Sequence, residues 1–469
     1  MNKEERIQHF NRLAPERAKW RRKGKYYHQK LEEYLRFLIP AGASVLEIGC
    51  GTGELLASLE PGRGVGIDIS PEMVAVARAN FPDLEFRVDD FEHLEITETF
   101  DYVIIAETIG HVDDIQAAFH QLHKVCTPET RIITVYYNYL WAPLMKFAEF
   151  AKLRMPQSLQ HWLPLDDIAN LLYLEDFDVV KKGYRVLMPI KIPLISNFCN
   201  TFLAHLPFFW KLALTEILVA RPMAPRKVPE EVTCTVLVPC RNEKGNIEDA
   251  VLRTPEMGAK MEIIYVEGGS SDGTFEECLR IQGKYPDKDI TVLQQDGRGK
   301  GDAVRKGFAA AKHDVLMILD ADLTVPPEDL PKFFNAIVSG KGEFINGSRL
   351  VYRMEKQAMR FLNILGNKFF SRAFTYLFEQ RIRDTLCGTK VLWKEDYDKI
   401  VAGRSYFGEF DPFGDFDLLF GAVKLNLKIV EVPIRYRDRT YGSTQISRFR
   451  HGVLLLKMTW FGLFKIKWI

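Results

Sequence analysis

Hydrophobic residues along this chain gather into short runs separated by longer stretches with a helical repeat. In the first half the runs are residues 44–48, 64–68, 85–88, 102–105 and 131–135. In the second half they are residues 234–238, 262–266, 291–294, 315–319 and 344–346. Each has the length and β-branched character of a strand. Strands alternating with helical patterns predict an α/β protein with a mostly parallel sheet in each half. Between the halves, residues 221–231 hold Pro222, Pro225 and Pro229 among several charges, the composition of an exposed, semi-rigid linker. The expected division is a first domain at 1–221, a linker at 222–231, a second domain at 232–434 and a basic tail at 435–469.

Two apolar stretches depart from this alternation. Residues 187–220 are rich in Leu, Ile and Phe but are cut by Pro189, Pro193 and Pro207. They are expected to form a subdomain packed on the first sheet rather than a membrane anchor. Residues 451–469 are apolar but interrupted by Lys457 and flanked by Arg448, Arg450, Lys465 and Lys467. Arg450 and Lys457, seven apart, share one helical stripe, and Trp460, Phe461, Phe464 and Trp468 suit headgroup depth. The expectation is an amphipathic helix lying in a membrane interface. The alternative is a C-terminal helix buried in its domain with snorkelling lysines. No run of about 18 to 20 uncharged apolar residues occurs, so a bilayer-spanning helix is not expected.

Composition narrows the class. A chain of 469 residues exceeds what one core usually supports. A net charge of +1 argues against a surface that grips nucleic acid. The balance is uneven, because the tail from Arg435 carries eight Lys or Arg against Asp438 alone. A second basic cluster is Arg17, Lys19, Arg21, Arg22, Lys23 and Lys25. The seven cysteines form no CxxC pair, which fits free thiols in a reducing compartment. The stretch Met1–Arg6 has no apolar segment behind it and does not read as a secretory signal.

Candidate chemistry begins with Glu47-Ile48-Gly49-Cys50-Gly51-Thr52-Gly53, which follows a predicted strand and opens a predicted helix. Glycines there allow a tight turn and close approach of a ligand. Asp68 ends the next strand and Asp90 follows the third. This set resembles the class I S-adenosylmethionine-dependent methyltransferases. The resemblance implies that Glu47, Gly49, Gly51 and Gly53 line the cofactor site, that Asp68 holds the ribose and that Asp90 contacts the adenine amino group. It also places substrate contacts after the fourth strand, in residues 107–111. Methyl transfer to a hydroxyl or amine needs a base, and His111 is the candidate. A lone loop histidine is more often structural, and nothing identifies the methyl acceptor.

The second half opens with Val238-Pro239-Cys240-Arg241-Asn242-Glu243 and continues to Glu267 and Asp320-Ala321-Asp322. Two carboxylates flanking one residue at a strand end can share a hard cation that neutralises a diphosphate leaving group. The ordered set resembles the family 2 glycosyltransferases of the GT-A fold. The resemblance implies a nucleotide-sugar donor, Asp320 and Asp322 as ligands of Mg²⁺ or Mn²⁺, and Asp322 as a catalytic group. Pro239, Asn242, Glu243 and Glu267 would then contact the nucleotide. Many members have Asp-Asp where this chain has Glu267-Gly268, which leaves uracil against guanine open. Asp272 is expected to cap the following helix rather than touch ligand. The basic loop 297–301 puts Lys300 near the phosphates.

Gly347-Ser348-Arg349, the stretch 384–390, the stretch 413–419 and Glu431-Val432-Pro433-Ile434 narrow the likeness to the branch that makes dolichyl- or polyprenyl-phosphate hexoses. Arg349 joins the candidate binding residues. Asp417 stands where that branch often has Glu and is a candidate catalytic residue. A polyprenyl phosphate is already anionic near neutral pH, so it needs cations and a membrane-proximal site more than a base. The segment holding Arg435, Arg437, Arg439, Gly442, Ser443 and Arg448, followed by the amphipathic tail, offers both. A hydroxyl acceptor would instead need a carboxylate base, for which Asp415 is the candidate.

The expected protein is therefore a bifunctional cytoplasmic enzyme, peripheral on a membrane surface. It would transfer hexose from a nucleotide sugar to a polyprenyl phosphate lipid, with UDP-glucose the favoured donor and GDP-mannose the rival. Relatives of this branch often have transmembrane helices or a membrane protein partner, so either this chain is monotopic or another protein supplies the membrane part. The alternative is a glycosyltransferase with a hydroxyl acceptor whose first domain is a non-catalytic scaffold. No nucleic-acid partner is expected.

Overall fold

Strand-forming runs alternate with helices through the whole chain, and among the described residues they assemble into two mixed seven-stranded sheets. The computed structural model describes residues 2–157, 160–349, 351, 361–408, 414–437, 439, 441 and 448–469, with backbone alone at 361–365, 415 and 448–451. It divides into two units, Met1–Met223 with Lys467–Ile469, and Ala224–Ile466.

The first unit contains β1 (Ser44–Ile48), β2 (Arg63–Asp68), β3 (Glu85–Val88), β4 (Phe100–Ala106), β5 (Cys126–Tyr137), β6 (Phe177–Arg185) and β7 (Thr215–Pro222). Their order is β3-β2-β1-β4-β5-β7-β6. β1 to β5 run parallel, and β7 is antiparallel to both β5 and β6. Val45, Leu46 and Ile48 of β1 and Val103, Ile104 and Ile105 of β4 are buried on both faces. That is the pattern of central strands covered by helices on either side. The chain reverses its winding between β1 and β4, so a crevice opens beyond their C-terminal ends.

One expectation changes here. Within the stretch 187–220, residues from Thr215 onward are not part of a packed subdomain but of β7, whose every residue is buried. β7 fits between β5 and β6 because Ile217-Leu218-Val219-Ala220 has an apolar side chain for each face. Arg221, the expected end of the first domain, and Pro222, expected in the linker, complete this strand. Arg221 is buried and lies 3.6 Å from Asp178.

The second unit contains β8 (Cys234–Cys240), β9 (Met261–Glu267), β10 (Asp289–Gln294), β11 (Val315–Ile318), β12 (Phe344–Ser348), β13 (Lys390–Trp393) and β14 (Ile429–Pro433), in the order β10-β9-β8-β11-β13-β12-β14. β13 is antiparallel to β11 and β12, while the remaining pairs are parallel. The core joins Val236 and Val238 to Met317, Leu319, Phe333 and Val391. Here the winding reverses between β8 and β11.

The C-terminal helix Arg448–Gly462 is two-sided. Leu455 and Met458 are buried, and Phe461 packs on Phe407 and Phe420. Val453, Leu456, Trp460 and Phe464 are exposed. Among the described residues no helix is long and apolar enough to cross a membrane. All seven cysteines are unbridged.

Candidate active sites

The turn after β1 carries the first site. Gly49, Gly51 and Gly53 all adopt positive φ, at 74°, 54° and 84°. At Gly49 a Cβ would collide with the Thr108 side chain, and at Gly53 with the ring of Phe86. Only glycine satisfies both the backbone and the space. Glu47 is buried and accepts the Leu56 N–H at 2.9 Å, which ties the strand to the helix after the turn. Burial pushes its carboxyl up to about 8.

Asp68 accepts the Gly51 N–H on one oxygen and the Ser70 N–H on the other, both at 2.9 Å. Each carboxylate oxygen has capacity for a second donor. Burial raises the Asp68 carboxyl despite those bonds. Asp90 accepts from the Glu92 N–H and pairs with Lys3 at 2.6 Å. Burial acts to raise its pKa, and the Lys3 pair outweighs it.

Gly49, Gly51, Asp68 and Asp90 line a cleft together with Phe10, Arg17, Phe91 and His111, whereas Glu47 and Gly53, also expected at the cofactor, are not in its lining. The glycine turn, the two acids and the apolar walls fit S-adenosylmethionine. His111 is half-buried and set edge-on to Phe10, with ring centroids 5.3 Å apart. Burial, and then the charges of Arg6 and Arg154, lower it to about 4. Its imidazole is therefore uncharged at neutral pH.

The sequence reading missed Arg6 and Phe10 in the cleft's lining, while Glu107 falls in the stretch 107–111 where substrate contacts were expected. Arg6 is buried and bound bidentately by Asp113 at 2.7 and 2.9 Å. Glu107, at φ 59°, accepts from Tyr27 Oη at 2.9 Å. Burial opposes its ionisation, but His28, Tyr137 and Arg154 hold it below the usual carboxylate range. Positive φ in a non-glycine residue at a strand end was the kind of signal the sequence could not carry.

The second site lies past the C-terminal ends of β8 and β11. Lys300, first residue of the helix Lys300–Ala310, lies 2.7 Å from Asp320. Burial acts to raise the Asp320 carboxyl, and Lys300, Lys390 and Arg349 outweigh it. Asp322 Oδ1 accepts from the Thr324 N–H and hydroxyl at 3.2 and 2.8 Å. Arg439 donates to Asp322 Oδ2 at 2.6 Å and to Glu243 at 3.4 Å. The Arg437 N–H donates to the Thr324 carbonyl at 3.0 Å, which brings the chain after β14 beside the Asp-x-Asp turn.

Glu243 is buried, and burial with nearby Asp322 raises it to about 7 against Arg439. Glu267 is buried at the end of β9 and accepts the Ser270 N–H at 2.5 Å. Asn242, at φ 56°, holds the same loop by accepting the Ser271 N–H. Pro239 lies in β8 opposite Val266. Asp272 accepts from the Thr274 N–H at the start of the helix Thr274–Lys284.

Two candidates have other partners. Arg349 makes a bidentate pair with buried Asp384, at 2.7 and 2.8 Å. Its charge is thereby committed within the protein, and it acts on Asp320 from a distance. Asp417 is held by Arg404 at 2.8 and 3.0 Å, a pair that ties the turn Arg404–Tyr406 to the helix Asp415–Lys424. The side chain of Asp415 and all of Ser443 lie outside the described residues. Gly388 was quoted only as part of a motif, yet it packs directly on the Asp320–Lys300 pair, where a Cβ would collide with both.

A Mg²⁺ or Mn²⁺ ion is commonly held by one or two carboxylates together with substrate phosphates. Asp320 and Asp322 supply such oxygens, and Lys300 and Arg439 beside them suit phosphate charge. The donor set fits.

Two sheets with ligand-competent turns at their reversals mark two transferase domains. Residues 45–129 match the Methyltransferase domain family, and residues 235–400 match Glycosyl transferase family 2. The Dolichyl-phosphate hexose transferase of Haloferax volcanii is 30% identical over 202 residues, covering 42% of this chain and 79% of that protein. The Dolichol-phosphate mannosyltransferase of Pyrococcus furiosus is 31% identical over 218 residues, covering 45% of this chain and 59% of that protein. The chain thus spans little more than half the length of the Pyrococcus relative. A putative methyltransferase of Haloferax volcanii, solved with the Trm112 activator, aligns at a TM-score of 0.37 and 20% identity, covering 45% of this chain and 97% of that one. The chain belongs to the family 2 glycosyltransferases and carries a methyltransferase domain ahead of that region.

Proposed function

We propose that the second unit transfers a hexose from a nucleoside-diphosphate sugar to a dolichyl or polyprenyl phosphate. The observation that carries this reading is the set of Asp320, Asp322, Lys300 and Arg439, two carboxylates each paired with a cation at the end of β11. Asp320 and Asp322 would hold the divalent ion, which when bound would neutralise the departing diphosphate. Lys300 orients the donor phosphates from the start of its helix. Glu267 and Asn242 shape the loop that receives the nucleoside.

Arg439 is the acceptor-phosphate cation. Its guanidinium is planar and always charged, and it presents a fork of donors to an anion. An acceptor already ionised needs no base to attack the anomeric carbon. Held between Asp322 and Glu243, Arg439 is set beside the donor carboxylates, where attack would occur. Transfer with inversion follows from direct displacement by that phosphate oxygen.

The donor proposed is UDP-glucose. GDP-mannose is the second reading, favoured by the mannosyl relative. Calorimetric titration of UDP and GDP with Mg²⁺ present decides between them. Binding of GDP alone would overturn the UDP assignment, and binding of neither would overturn the donor site.

For the first unit we propose S-adenosylmethionine-dependent methyl transfer. Asp68 has capacity for the ribose hydroxyls, and His111 lines the same cleft. The setting proposed is the cytoplasmic face of a membrane, where a lipid-borne acceptor is available.

A further inference from the structure

The first unit exposes far more apolar surface than a soluble domain needs. The helix Ala142–Phe150 buries no residue, although its sequence is Ala-Pro-Leu-Met-Lys-Phe-Ala-Glu-Phe. Phe147 is 66% exposed and Phe150 86%. Beyond Val186 the chain presents Leu194 at 88% and Phe208 at 72% exposure. Single exposed hydrophobics are ordinary, but large contiguous patches mark binding surfaces.

These segments are stitched together. The Trp141 indole N–H donates to the Leu212 carbonyl at 2.9 Å, and Asn138 Nδ2 to the Lys211 carbonyl at 2.8 Å. Tyr26 bonds Asn197 at 3.2 Å, and Lys23 Nζ donates to the Lys152 carbonyl at 2.6 Å. The basic helix Arg17–Lys23 therefore borders the apolar segments.

The charge of these segments is mostly positive, although Lys19 and Arg21 pair with Glu16 and Glu32 just outside them. Residues 17–25, 139–154 and 187–212 together hold eleven Lys or Arg and one acidic residue, Glu149, which is paired with Arg154 at 2.6 Å. Arg22, Lys23, Lys146 and Lys191 are exposed. Large apolar side chains ringed by cations are what an interfacial protein offers to acyl chains and anionic headgroups. A protein groove would have no need of so uniform a charge.

We propose that this face of the methyltransferase unit docks on an anionic lipid bilayer, with Phe147, Phe150, Leu194 and Phe208 entering the interface. Arg17 lines the cofactor cleft and opens the basic helix, so the cleft adjoins the docked face. The proposal deepens the membrane setting given above, and its test requires no catalysis, so failure here leaves the transfer reading to its own assay.

The test is co-sedimentation of the full chain with vesicles of phosphatidylcholine alone and of phosphatidylcholine mixed with phosphatidylglycerol. The wild type binds the anionic vesicles, and added salt weakens binding. The double variant Phe147→Glu/Phe150→Glu binds about tenfold or more weakly. Those side chains are exposed, so an unchanged melting temperature accompanies the loss. Arg22→Glu/Lys23→Glu weakens binding to anionic vesicles as well. Trp460→Glu/Phe464→Glu, on the C-terminal helix, leaves binding within twofold or so of wild type. Binding that survives both first-unit variants overturns the proposal. So does a wild type that ignores vesicles and self-associates through Phe147 and Phe150.

Discussion

Arg439 places a guanidinium nitrogen 2.6 Å from Asp322 Oδ2 and reaches Glu243 with the other, linking the chain after β14 to the ends of β8 and β11. If this cation serves the acceptor phosphate, Arg439→Ala raises the KM for polyprenyl phosphate by about tenfold or more, the scale of a lost charge-assisted bond. The KM for the donor stays close to wild type. Steady-state kinetics with each substrate varied separately checks this split.

Gly388 packs directly on the Asp320–Lys300 pair. Its φ is ordinary, so Ala is tolerated by the backbone, but the added methyl collides with the Asp320 carboxylate and Lys300. Gly388→Ala should cost about 100-fold in turnover by displacing the pair, comparable to other misplacements of catalytic groups. Turnover and nucleotide titration on the purified variant check it.

Asp417 and Asp322 should behave oppositely. Asp417 is buried in a pair with half-buried Arg404, and breaking it leaves that guanidinium without its carboxylate. Asp417→Asn should lower stability by about 2 kcal/mol, between exposed and fully buried pairs, with turnover preserved. Urea unfolding measured alongside turnover distinguishes this bracing role from a catalytic one.

Glu47 makes the first unit pH-sensitive. Its folded pKa of about 8 lies above the unfolded carboxyl value. Between those two values the folded state holds a proton the unfolded state has lost, so this group's contribution to stability falls as pH rises. Glu47→Gln should flatten that slope and melt higher than wild type at pH 8, with little difference at pH 5. Thermal melts across this range check the sign.

Most parallel strands were legible because each announces itself locally. The runs at β1 to β5 and β8 to β12 are apolar and bounded by turns, and the glycine turn and Asp-x-Asp sit at their ends. β6, β7, β13 and the parallel edge strand β14 were not recognised. β7 follows a proline-cut segment that obscures its start, and β13 is four residues long behind a motif that drew attention to itself. The pairs also escaped, since Arg349 and Asp384 were quoted in separate motifs and nothing local joins Asp417 to Arg404. The cover of the first cleft by Arg6 and Phe10 depends on where an ordinary amphipathic helix docks. Local pattern carries none of that information.

The first cleft gives a direct binding prediction. Asp68→Ala removes the acceptor for the Gly51 and Ser70 N–H groups and, on the proposed reading, for the cofactor ribose. It should weaken S-adenosylmethionine by about 100-fold, the loss of two hydrogen bonds to a charged group. Calorimetry with S-adenosylmethionine or its demethylated product reads this.

The most direct test of the central reading is a radiolabelled transfer assay with Mg²⁺ or Mn²⁺, polyprenyl phosphate, and UDP-glucose or GDP-mannose in parallel. Label should enter the organic phase with one donor, require the metal and disappear in Asp322→Asn. Nucleotide release without lipid labelling would contradict the polyprenyl-phosphate acceptor, and no turnover of either donor would contradict hexosyl transfer by this unit.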